Sequence, residues 1–221
     1  VPESQYQAMR APFQEGEFPG PVKYGYSSVG KVQENEEGDD FEGRTVFCLY
    51  PHQDVYHVPA SEVTLVPEDL PAGRAVLAAS METAVTIVWD ARPVAGDRIV
   101  VIGAGVVGLL VAWLCRKVPG TTVTIVDINA ERLSVAEALQ VGFCTQPTEG
   151  DEADLVIHAS GEPDGLRSGL TVAGVETTII EASWYGSRSV PLPLGEDFHS
   201  RRLTLKSSQV GRVPPDRAPR W

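Results

Sequence analysis

Three glycines and one aspartate carry the most informative spacing in this chain. The glycines stand in Gly103-Ala104-Gly105-Val106-Val107-Gly108, and Asp127 follows nineteen residues after the last of them. The run comes after RIVVI, an apolar β-branched strand pattern, and opens VVGLLVAWLCRK, a helical one. In that setting each glycine has a job. Gly103 makes the tight turn, Gly105 leaves room for a pyrophosphate to approach the backbone, and Gly108 lets helix pack on strand. The helix that begins at Val106 and Val107 then offers free N–H groups and a partial positive charge to phosphate. Asp127, at the end of the next strand, is placed to accept hydrogen bonds from the ribose hydroxyls of an adenosine. Ile128 lies beside it, and Arg132, one helical turn on, is placed to stack on adenine, to bind the phosphate of an NADP, or simply to lie on the helix surface. A carboxylate at Asp127 repels a 2′-phosphate, so NAD is favoured over NADP. Two other readings share these features: a glycine-rich turn that holds no ligand, and a methyltransferase that binds S-adenosylmethionine.

The other chemically capable side chains are scattered. Cys48, His52 and His57 are the clustered soft ligands. In an extended segment Cys48 and His52 share a face while His57 points away, which is poor geometry for tetrahedral zinc. His158 stands inside the apolar run DLVIHAS and reads as a packed core residue; His199, beside Arg201 and Arg202, reads as surface. Six carboxylates fall within Glu34–Glu42 without the ligand order of a calcium loop, which suits a solvated hairpin tip.

These residues must be positioned by two kinds of structure. The first seventy residues read as short strands, KYGYSSVGKVQ and RTVFCLY around an acidic turn, then VYHVPA and VTLVPEDLP punctuated by prolines. From Ala72 a helical pattern runs to Ala91 with a break expected near Ser80. Strand and helix then alternate: RIVVIG, VVGLLVAWLCRK, TVTIVD, AERLSVAEALQ, ADLVIHAS, GLRSGLTVA, ETTIIEA and RLTLKSS. Continuous apolar strands separated by helices imply an α/β fold, a parallel sheet covered on both faces. Ligands bind at the carboxyl ends of such strands, so Ser160, Gly161 and Ser183 are expected to line the second half of a dinucleotide site.

Composition narrows the class. The net charge of −12 argues against nucleic-acid or anionic-membrane partners, which need clustered positive charge. Three dispersed cysteines form no disulfide framework, and a reducing cytoplasmic location is expected. The uncharged run Ile99–Cys115 is at the short limit for a membrane span, but its glycines divide it into strand, turn and helix.

The order of these pieces resembles the medium-chain, zinc-type alcohol dehydrogenase superfamily. GYSSVGKV is similar to its first-domain strand, DVYHVPA to a segment ahead of its central helices, and VAGDRIVVIGAGVVGLL to its glycine-rich turn. VDINAERLSVAEALQVG is similar to its second βα unit and RRLTLKSSQVG to a strand near the end of its coenzyme domain. YGYSSVG and LTLKSSQVG are closest to a branch that includes bacteriochlorophyllide-type hydroxyethyl dehydrogenases. The resemblance implies a partial β-rich, GroES-like first domain over residues 1–84 and a Rossmann-type coenzyme domain over 85–221. It also implies that the family's C-terminal return segment is absent from the chain. It further implies an oxidoreductase that interconverts a small-molecule alcohol and a carbonyl with NAD, with a homodimer as a candidate assembly.

The departures matter as much. The family's "GHE" zinc-ligand motif falls on Gly25-Tyr26-Ser27, and the structural zinc lobe is missing. Zinc is therefore expected to be absent. Tyr26 and Ser27, in the vacated positions, and Glu82 and Thr83, at the start of the helix that faces the nicotinamide in the family, become the candidate catalytic groups. Tyr24 is a second hydroxyl on the Tyr26 face. The alternative is a dinucleotide-binding sensor or structural homologue that has lost turnover.

Overall fold

The computed structural model describes all residues except Tyr24, residues 36–40, Glu149, Asp151 and Trp221. The chain divides into two units, Val1–Ala79 and Ser80–Trp221. In the first, strands β1 (Ser28–Lys31), β2 (Thr45–Cys48) and β3 (Val63–Leu65) form an antiparallel sheet in the order β1-β2-β3. Side chains alternate across a strand, and along β2 Val46 and Cys48 are buried while Thr45 and Phe47 are only half-buried. The tip of the β1–β2 connection, where the acidic run was expected to be solvated, lies largely outside the described residues, as does Tyr24. VYHVPA, which follows Pro51 and contains Pro59, contributes no strand.

Helix α1 (Ala72–Ala75) closes the first unit, and α2 (Ala78–Ala91) runs across the division. The break in the helical stretch, expected near Ser80, falls just ahead of it at Val76 and Leu77. Ala84, after which the domain boundary was expected, lies within α2.

The second unit continues with β4 (Arg98–Ile102), α3 (Val106–Cys115), β5 (Thr122–Val126), α4 (Leu133–Ala138), β6 (Gly142–Cys144), β7 (Ala153–His158), α5 (Pro163–Val172), β8 (Ala173–Glu181), α6 (Asp197–Ser200) and β9 (Thr204–Ser207). All six strands are parallel, in the order β6-β5-β4-β7-β8-β9. Numbered from β4, this is 3-2-1-4-5-6, the order of dinucleotide-binding sheets, with its switch point between β4 and β7. The expected Rossmann-type α/β architecture is what the chain forms.

Period-two alternation builds a core on each face. Ile99 and Val101 of β4 pack with Ile87 of α2, Val111 of α3 and Ala136 of α4, while Val100 and Ile102 pack with Leu166 and Leu170 of α5. Every one of these is under 10% exposed, as a strand buried on both faces requires. Strand β6 was not anticipated: three residues are too few to show a period. Helix α5 starts at Pro163, two residues ahead of the expected GLRSGLTVA, because proline at the first helical turn needs no hydrogen-bond acceptor. Among the described residues no helix is long and apolar enough to cross a membrane; the run Ile99–Cys115 is β4, a turn and α3.

Candidate functional site

The glycine turn joins β4 to α3 at the carboxyl edge of the sheet. Gly103 has φ +106, a conformation that side chains rarely adopt, and its N–H donates to the Val126 carbonyl at 2.8 Å. A Cβ on Gly103 would lie 2.7 Å from the backbone of Ser160. A Cβ on Gly108 would overlap the Gly103 carbonyl oxygen, so the first turn of α3 can sit this close to the strand only without a side chain. Gly105 differs: a Cβ there would meet no atom within 4 Å. Nothing in the fold demands glycine at 105, and the open space above it is where a ligand would come closest to the backbone. Gly105 caps α3 without a side-chain hydrogen bond, and the N–H groups of Val106, Val107 and Gly108 have no acceptor within their own helix. Val106 is half exposed at this opening.

Asp127 follows β5 on one side of the turn. Its Oδ2 accepts from the Ala104 N–H at 2.6 Å and its Oδ1 from the Asn129 N–H at 2.8 Å. A carboxylate offers about four acceptor positions, so roughly two remain for an incoming diol. Ile128 beside it is 93% exposed, an apolar side chain with no cover from its own unit. Asn129 caps the following turn by accepting from the Glu131 N–H at 3.0 Å, which places Arg132 on that turn.

On the other side of the switch point, the ends of β7 and β8 hold Ser160, Gly161 and Ser183. The Gly161 N–H donates to Ser183 Oγ at 3.0 Å, so the two loops are tied together. Beneath them lies a network that sequence reasoning missed. His158, the last residue of β7, is fully buried as expected, but it is more than packing. Its Nδ1 lies 2.9 Å from Glu181 Oε2 and its Nε2 lies 2.6 Å from Ser160 Oγ. Glu181 also accepts from the Ser183 N–H at 2.7 Å and from the Tyr185 hydroxyl at 3.0 Å. Burial and then the Glu181 charge push the Tyr185 pKa up, so that hydroxyl stays a donor. A polar residue ending an apolar strand was the available signal; its partner could not be seen without the β7–β8 register.

The candidate catalytic residues divide between the units. Tyr26 is 57% exposed just ahead of β1, and Ser27 Oγ donates to the Val76 carbonyl at 3.3 Å. Glu82 and Thr83 lie near the start of α2, where burial raises the Glu82 pKa. As for metal, among the described residues no three His, Cys, Asp or Glu side chains are grouped to hold an ion. Cys48 is buried at the end of β2, and burial, then the Glu62 charge, raise its thiol pKa. His52 packs its ring against Gly25, and the positions of the zinc motif hold hydroxyls. This donor set does not fit zinc, which needs deprotonated thiolates, imidazoles or carboxylates converging on one point.

Residues 72–176 match the family model of the alanine dehydrogenase/PNT C-terminal domain. An uncharacterized zinc-type alcohol dehydrogenase-like protein of Haemophilus influenzae is 30% identical over 64% of this chain and 44% of its own length. The D-guloside 3-dehydrogenase of Escherichia coli K12 is 27% identical over 61% of this chain and 42% of its own. Both relatives are described as dehydrogenases or dehydrogenase-like proteins. The chain spans less than half the length of these two curated relatives. A similar fold is seen in a solved structure described as a short chain alcohol dehydrogenase of Escherichia coli CFT073 complexed with NADH. It shares 20% identity and a TM-score of 0.67, over 86% of this chain and 68% of its own.

Proposed function

We propose that the chain is the coenzyme-binding part of an NAD(H)-dependent oxidoreductase that interconverts an alcohol and a carbonyl without catalytic zinc. The observation that carries this reading is the pairing of an uncrowded Gly105 with Asp127 across the β4–β5 edge of a 3-2-1-4-5-6 sheet. Gly105 and the α3 N-terminus would hold the pyrophosphate, and Asp127 the adenosine ribose. Ile128 and Arg132 would flank the adenine, and Ser160, Gly161 and Ser183 would line the nicotinamide half. The dinucleotide supplies the hydride acceptor. The carboxylate at Asp127 favours NAD, because it pairs with a free 2′-hydroxyl and repels a 2′-phosphate. The dehydrogenase relatives support a small-molecule alcohol as substrate, with Tyr26, Ser27, Glu82 and Thr83 as the groups offered to it.

Calorimetric titration tests the coenzyme reading: NADH is expected to bind with one site per chain and NADPH more weakly. Failure of both to bind would exclude it, and S-adenosylmethionine binding instead would make the chain a methyltransferase. Zinc is tested by elemental analysis of the purified protein, which is expected to contain well under one zinc per chain and to retain any alcohol oxidation after chelation. One zinc per chain, lost together with activity, would overturn that part of the proposal.

A further inference from the structure

Glu181, His158 and Ser160 form a line from the sheet interior to its carboxyl edge. The carboxylate can only accept, so Nδ1 of the imidazole carries the hydrogen that points at Glu181. Nε2 is then an acceptor, and the Ser160 hydroxyl donates to it across 2.6 Å. His158 is 0% exposed and the Glu181 side chain 12%, whereas Ser160 is an exposed residue. Ser160 is thus the exposed member of the line, and its Oγ also accepts from the Glu162 N–H at 3.2 Å. The glycine at 165 permits this arrangement, since a Cβ there would overlap Ser160 Oγ and lie 2.7 Å from His158 Nε2.

The exposed member is also at a chosen place. The backbone of Ser160 abuts Gly103, and Gly103 and Ser160 follow the two strands that flank the switch point. With Asp127 on the β5 side, the β7–β8 side is where the nicotinamide half of a dinucleotide lies. A structural role alone would be served by any hydrogen-bonded pair; it does not need the chain to end on an exposed serine beside the crevice.

We propose that Ser160, His158 and Glu181 are a proton store for the hydride-transfer reaction, with Ser160 Oγ as its mouth and His158 Nε2 as the acceptor. The inference rests on the coenzyme reading above. When an alcohol is oxidised, its C–H leaves as hydride to the oxidised dinucleotide and its O–H proton must go elsewhere. A proton delivered to Ser160 Oγ displaces that hydroxyl's own proton onto Nε2, while Nδ1–H stays on Glu181. The resulting imidazolium is held by a carboxylate that also accepts from Tyr185 and the Ser183 N–H. It discharges through the same hydroxyl to water, and reduction of a carbonyl runs the path in reverse.

The charged and titratable groups around His158 are few among the described residues. Glu181 comes from β8 and Tyr185 from the loop after it. Arg188 lies over the Tyr185 ring at 5.8 Å and is paired with Glu162 at 3.3 Å. On β4 the neighbour in register is Ile102, and on β9 Ser207 lies beside Glu181.

The test uses binding rather than turnover. The oxidised nicotinamide ring is positively charged and the reduced ring is neutral, so a protonated store beside it opposes NAD⁺ and not NADH. Acidification is expected to weaken NAD⁺ relative to NADH by about tenfold. His158→Gln is expected to flatten that ratio. As a measurement that needs no variant, calorimetry of the parent chain at acidic pH, with the store protonated, in buffers of different ionisation enthalpy is expected to show proton release with NAD⁺ and none with NADH. If both coenzymes bind but the ratio is independent of pH, the store is excluded while the coenzyme reading stands. A pH-dependent ratio that persists in His158→Gln assigns the proton to another group and also excludes it. If neither coenzyme binds, both ideas fall.

Discussion

Gly105→Ala is expected to leave thermal unfolding unchanged and to weaken NADH binding by about one to two decades, whereas Gly108→Ala is expected to fail in stability first. The two glycines belong to one motif but answer to different forces. At Gly105 the backbone has φ −72 and ψ 179, which any residue adopts, and a Cβ meets nothing within 4 Å. The methyl group costs the free fold almost nothing and instead stands where phosphate would approach the α3 N-terminus. Losing charge-assisted hydrogen bonds there costs about 1.5–3 kcal/mol, the basis for one to two decades. At Gly108 the same methyl overlaps the Gly103 carbonyl oxygen, a backbone atom tied into the turn. Alanine gains about 1 kcal/mol of helix propensity, but overpacking against backbone costs about 1–3 kcal/mol or more and displaces the turn itself. Denaturant unfolding of both variants beside NADH titration checks the pair. Equal NADH affinity of Gly105→Ala and the parent would remove the phosphate from this turn.

Asp127→Ser is expected to lower NADH affinity by roughly one to two decades and to narrow the gap between NADH and NADPH. The carboxylate is placed to hold a ribose diol, and each charge-assisted hydrogen bond lost costs about 1.5–3 kcal/mol. The structure adds a second consequence. Oδ2 also accepts from the N–H of Ala104, a fully buried residue inside the glycine turn. Serine is too short to guarantee that contact, so part of the loss comes from a loosened turn. Asp127→Asn separates the two: its one oxygen can stay with the Ala104 N–H, while the charge and the acceptor for the Asn129 N–H are lost. If NADPH gains on NADH in the asparagine variant, the charge at the ribose sets coenzyme choice. Unchanged affinity for both coenzymes in both variants would place the ribose elsewhere.

The parts of this protein that were legible in its sequence are those governed by local physics. The parallel strands announce themselves because a strand buried on both faces must be apolar at every position, as Ile99–Ile102 is. The glycine turn is legible because a positive φ at Gly103 and a helix start pressed against a carbonyl at Gly108 both exclude side chains, whatever the rest of the chain does. Asp127 follows from its place at the end of the next strand. What sequence reasoning could not reach was settled by strand register. His158 and Glu181 are 23 residues apart, with α5 between their strands, and become partners because β7 and β8 pair in parallel with those two residues opposite one another. Read alone, an imidazole in DLVIHAS is a core side chain; only the neighbouring strand supplies the carboxylate that makes it a polar network. The assignment of Tyr26 and Ser27 to one unit, and of Glu82 and Thr83 to the other, likewise depends on where Val1–Ala79 gives way to Ser80–Trp221. Local sequence determines which backbone shapes are allowed, whereas long-range pairing determines which side chains meet, because hydrogen bonds between strands carry no signature within either strand.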